Sequence, residues 1–144
     1  MLYLFLPLIA GLIAQIAKFF IRSNHEKFNL KNIVAYSGMP SGHSALVISL
    51  ATIIALKDGW ATPLFAISFI LAVVVIRDAV GLRRYLGEHG RTLNILVQDL
   101  KEEPDAPLDQ EYPELLERIG HTPAQVLVGA LIGFIVSLVG FIIF

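Results

Sequence analysis

Residues 38–45 read GMPSGHSA, and residues 120–126 read GHTPAQV. Each stretch places a histidine, His43 or His121, just ahead of a long apolar run. Two histidines permit one nucleophile and one general acid. Lys18, Arg83 and Arg84 add cations that neutralise phosphate oxygens, arginine in bidentate fashion. The backbone N–H groups of Ser41, Gly42 and His43, at a helix entrance, form an anion cradle. Gln125 stands one helical turn after His121, so its amide can face that imidazole and fix its tautomer. Asp78 suits an ion pair with Arg77, Arg83 or Arg84, or a place behind the site as an orienting group. Together these residues suit a phosphate ester.

Positioning them falls to a greasy chain. Hydrophobic residues make up 56% of the 144, and the net charge of -1 gives no sign of a nucleic-acid partner. The absence of cysteine excludes disulfides and cysteine-ligated zinc. Residues 2–17, 59–76 and 122–144 carry no charge. A bilayer core of ~30 Å needs roughly 20 apolar residues in a helix. The spacing predicts four membrane helices over about 2–22, 41–57, 60–80 and 122–143, in a single domain covering 1–144. The start of the chain lacks a basic region and a clear cleavage site, so it is read as the first membrane helix. Residues 23–38 read as a polar loop with a short interfacial helix. A further amphipathic helix is expected over 85–101, with Leu93, Leu96, Val97 and Leu100 on one face. The acidic, proline-rich stretch 101–114 reads as a solvated loop. The fold class is an all-α integral membrane bundle.

All lysines and arginines except Lys57 lie in or beside the loops after the first and third spans. Basic loops face the cytoplasm. The expected topology puts both termini outside and gathers Lys18, Ser41, His43, Asp78, Arg83, Arg84 and His121 at the inner face. Each has a plain reading alone, a cap for either histidine or an anchor for each cation. Their gathering at one level is what points to chemistry, since ionisable groups at membrane depth mark function by default.

PSGH at 40–43, DAVGLRR at 78–84, LN at 93–94 and GHTPAQVLVGALIG at 120–133, in that order, resemble a divergent small branch of the type 2 phosphatidic acid phosphatase and vanadium haloperoxidase superfamily. The resemblance implies that Lys18, Ser41, the Gly42 amide and Arg83 or Arg84 bind phosphate. It implies that His43 protonates the leaving alkoxide and that His121 attacks phosphorus, giving a phosphohistidine that water hydrolyses. It implies neither metal nor cofactor. Three departures stand out. His25-Glu26 replaces the Arg-Pro that follows the first-signature lysine. Arg84 and His121 lie 37 residues apart rather than six, although His89 does stand six after Arg83 and is an alternative nucleophile. Gln125 replaces an acidic partner.

The function so implied is a lipid-phosphate phosphatase acting on a phosphatidylglycerophosphate or phosphatidate type of substrate, multi-pass in the inner (plasma) membrane, with its site on the cytoplasmic side. The alternatives are a catalytically degenerate scaffold or lipid-binding protein of the same fold, and a small anion transporter. Expected partners are the bilayer and its lipid phosphates. Four short helices make a thin bundle, with which a homodimer is compatible.

Overall fold

The computed structural model describes residues 1–21, 38–102, 112–117 and 119–144. Among them all regular structure is helical: α1 (Leu2–Phe20), α2 (Gly42–Lys57), α3 (Pro63–Arg77), a π-helical turn (Asp78–Leu82), α4 (Arg83–Glu102) and α5 (Pro123–Ile143). The expected interfacial helix within 23–38 lies outside the described residues but for Gly38, as does most of the acidic loop.

Three of the helix starts carry a side-chain cap. Ser41 accepts from the Ser44 N–H, Thr62 from Phe65, and Thr122 from Gln125. Proline follows each threonine at the first helical position, where its missing N–H has no cost. The cap at Thr62 starts α3 at Pro63 rather than at residue 60. Helices α3 and α4 join through the π-turn into one rod of 40 residues. The amphipathic helix foreseen over 85–101 therefore exists, but as the continuation of a membrane helix. No proline interrupts the chain from Leu64 to Glu102, so nothing forces a break.

The side chains are arranged as a bilayer requires. Large apolar residues point outward along α1, α3 and α5, among them Leu12, Ile67 and Ile142. The centre is built from small residues, Ala10, Ala14 and Ala45. Lipid tails are as apolar as leucine, so membrane helices associate by close packing and interhelical hydrogen bonds. The chain is an integral membrane helical bundle.

Helix α2 is its axis, with α1, α3 and α5 packed around it. Helices α2 and α5 run parallel in near backbone contact. A Cβ at Gly129 would collide with the Ser41 carbonyl and the Ser44 hydroxyl, and one at Gly133 with the Ala45 carbonyl. One turn further on, the Ser49 and Ser137 hydroxyls meet at 2.7 Å. At the far end the Tyr3 hydroxyl donates to Asp58 at 2.8 Å, pinning the start of α1 to the end of α2. The opposite level collects the end of α1, the starts of α2 and α5, and the π-turn.

Candidate active site

Lys18 stands in the last turn of α1 and is only 4% exposed. His121 lies one residue before the Thr122 cap and is equally buried. His43 is the second residue of α2 and is exposed. The charges of Lys18 and Arg83 act on both imidazoles, and Asp78 acts on His43 as well. Four groups on four elements thus converge, with Asp78 bonded to the Arg83 Nε behind them.

The π-turn decides where His121 sits. Its wider ring sends the Arg83 N–H back to Asp78 O instead of Ala79 O. The freed Ala79 carbonyl accepts from the His121 N–H at 2.9 Å. Gly120 makes that approach possible. Its φ is 93°, and a Cβ there would fall 2.8 Å from the Arg84 nitrogen and 3.0 Å from Ala79 O. Alanine at 120 meets both a left-handed backbone worth ~1–2 kcal/mol and that steric block. Gly120→Ala is expected to displace His121 and cut turnover at least ~10²-fold, the scale of a 1 Å misplacement, while the protein still inserts in the membrane. Initial rates beside membrane yield check this.

Burial lowers the His121 pKa from the usual 6.5 to about 4, and the Lys18 ammonium adds to the shift. The ring is therefore neutral at pH 7, which a nitrogen nucleophile requires. The Gln125 amide is near enough to oppose the shift, but its Oε1 accepts the Thr122 N–H at 2.9 Å in a capping box. The His121 Nδ1 keeps no hydrogen-bond partner. Gln125 thus closes the helix end while its amide also stands within hydrogen-bonding reach of the His121 ring.

A pH dependence of stability follows. Between about 4 and 6.5 the unfolded chain binds a proton at residue 121 that the native chain refuses. Stability must fall as pH drops through that window. Thermal midpoints in detergent should show this slope, and His121→Gln should reduce it.

The anion cradle is narrower than its sequence reading. Ser41 is fully buried, and its N–H donates to Gln125 O at 3.0 Å. The amides of Gly42 and His43 remain without acceptors among the described residues. The two arginines separate: Arg83 faces the histidines, whereas Arg84 lies on the surface, 3.4 Å from Glu88. His89 is exposed on α4 and is not among the groups acting on His121.

Gln15 joins the site unforeseen. Its side chain lies against Gly42, 3.3 Å from where a Cβ would be, and its Oε1 is buried without a partner. A lone amide in an apolar run, three residues before Lys18, was the available signal. The segment carrying His121 is also anchored in a way the sequence hid. Backbone at 116 and 117 lies on Gly90 and Gly87 of α4, and the Asn94 amide exchanges two hydrogen bonds with Leu115, at 2.9 and 3.0 Å.

The profile of the family described as Divergent PAP2 matches residues 2–136, which include every residue just placed. The chain belongs to that family. It is also similar to YuiD of Bacillus subtilis (strain 168), whose description is an uncharacterized membrane protein. The two are 38% identical over 120 residues, covering 78% of this chain and 76% of YuiD. No solved structure matches the chain. Membership makes this a phosphatase-like, multi-pass membrane protein.

Proposed function

We propose that the chain is a metal-independent phosphatase for a lipid phosphomonoester of the phosphatidylglycerophosphate or phosphatidate type, working at the cytoplasmic face of the inner membrane. The observation that carries this reading is a buried, neutral His121 held among Lys18, Arg83 and His43. The His121 lone pair attacks phosphorus, the bond to the lipid oxygen breaks, and His43 delivers a proton to that oxygen. His43 then takes a proton from water, whose oxygen displaces His121 and releases phosphate. Lys18, Arg83 and the Gly42 and His43 amides stabilise the charge on the transferring group. The unpartnered Gln15 Oε1 and His121 Nδ1 are buried polar atoms of the kind a polar ligand satisfies. Helix α3 rests mainly on α2, which leaves its other flank open to acyl chains. The basic loops favour the cytoplasmic side.

Purified protein in mixed micelles should release inorganic phosphate from these lipids. Orthovanadate should inhibit, and EDTA should not. In intact cells an impermeant thiol reagent should label Trp60→Cys and spare Arg91→Cys; the reverse pattern would move the site to the outer face. One observation favours a second reading, a degenerate fold that binds lipid without hydrolysing it. The neutral Gln125 amide, whose oxygen also serves the helix cap, stands where an acidic partner would stabilise a His121 cation more strongly. Lipid binding with no phosphate release from any monoester would select it.

A further inference from the structure

Leu82, Leu86, His89, Leu93, Leu96 and Leu100 follow one another at spacings of four and three along the π-turn and α4. That alternation is the a/d pattern of a coiled coil. All six are exposed, the leucines by 67, 59, 48, 51 and 37% in chain order. The stripe runs for ~27 Å at 1.5 Å per residue. The segment from 112 to 117 lies on Gly87, Gly90 and Asn94, about a third of a turn around the helix, and meets the stripe only at its edge, where Tyr112 and Leu115 line a cleft with Leu93.

From Leu86 on, the stripe lies beyond the charged residues at which the membrane span ends. The α3–α4 rod of 40 residues is ~60 Å long, about twice the hydrocarbon thickness. Arg77, Asp78, Arg83 and Arg84 mark where it leaves the bilayer. A lipid-facing leucine needs no partner, but an aqueous row of them marks an interface.

We propose that this stripe is the seam of a parallel two-stranded coiled coil with a second copy of the chain. The membrane itself selects that partner. Copies inserted alike hold α4 parallel and at one height, so a two-fold axis along the membrane normal sets each seam residue against its counterpart. Of the positions flanking the seam, Tyr85, Gly90, Thr92 and Val97 are uncharged, and the charged Arg83 and Asp99 stand at its two ends. Arg84, Arg91 and Gln98 point away from it. A seam of under three heptads is weak in free solution, and confinement to one bilayer supplies the effective concentration it needs. His89, the polar residue at a d position, fixes register at a cost in stability.

The chain has no cysteine, so single-cysteine variants of the full protein read the seam cleanly. In native membranes under mild oxidation, Leu86→Cys, Leu93→Cys and Leu100→Cys should give a band at twice 15.8 kDa. Arg84→Cys, Arg91→Cys and Gln98→Cys, on the opposite side of the same helix, should stay monomeric. In the same membranes, adding Leu93→Asp with Leu96→Asp to the Leu86→Cys variant should abolish the band, and adding His89→Leu should strengthen it. Equal cross-linking of the two sets overturns the proposal. So do stripe cysteines that stay monomeric, whether they react freely with a water-soluble maleimide (a bare surface) or resist it (a stripe covered by another segment or by lipid). None of these readings depends on phosphatase activity.

Discussion

Alanine at His121 is expected to abolish turnover of every phosphomonoester, activated or not. The imidazole is buried and neutral beside Lys18, and Arg83 bears on it from the π-turn. Remove it, and the cations and the α2 amides still bind phosphate, but nothing attacks phosphorus. Loss of a nucleophile from a covalent mechanism costs on the order of 10⁴ to 10⁶ in kcat. A good leaving group cannot rescue such a variant, because bond making has failed rather than bond breaking. Wild-type protein incubated with ³²P-labelled substrate and denatured in alkali should retain label of the acid-labile kind expected for phosphohistidine. His121→Ala should retain none. Label that persists in His121→Ala, and disappears in His89→Ala, would move the nucleophile to α4 despite the exposed position of His89.

The helices were legible because their signals are local. Uncharged runs of near-membrane length announce α1 and α5, and small polar residues ahead of a shorter apolar run announce α2, all without tertiary information. Gly129 and Gly133, spaced four apart, sit against the Ser41 and Ala45 carbonyls and allow the close packing of α5 on α2. The union of α3 with α4 was hidden by composition. A shift from apolar to charged residues at Arg77 reads as the end of a helix, yet it marks only the end of the membrane.

The site was legible as a set and not as a geometry. Adjacent arginines differ by about 100° around a helix, so choosing between Arg83 and Arg84 required the phase that the π-turn imposes. The π-turn was itself unreadable, since its stabilising bond runs from His121 to Ala79, 42 positions apart in sequence. Gln125 stands on the turn its spacing gives, and its amide serves the Thr122 N–H in a capping box as well as facing the imidazole. Ser41 shows the same competition: parallel packing of α2 on α5 commits its N–H to Gln125 O. Each of these cases concerns a polar group with two available partners, and only the packed structure shows how they are shared.

His43 should behave differently from His121, and the difference tests the division of labour. His43 opens α2 on the exposed side of the site, where Lys18, Arg83 and Asp78 all bear on its ring. There it can reach a leaving group without blocking attack by His121. A lipid alkoxide is a strong base and leaves only with a proton. His43→Ala is therefore expected to slow hydrolysis of a lipid phosphate by ~10² to 10⁴, the usual range for a positioned general acid. p-Nitrophenyl phosphate expels a phenolate that needs no proton, so the same variant should keep its rate on that ester within about tenfold of wild type. His121→Ala should fail on both. The ratio of the two substrates' rates is the informative quantity, because misfolding or poor insertion scales both rates together and leaves the ratio unchanged. Trapping adds a second discriminant. With p-nitrophenyl phosphate, His43→Ala should still form the phosphohistidine but clear it slowly, since the same imidazole activates the water of the second step. A variant that loses equal fractions on both esters and accumulates no intermediate would show that His43 only caps the helix, and the proton would then have to come from another group at the inner face.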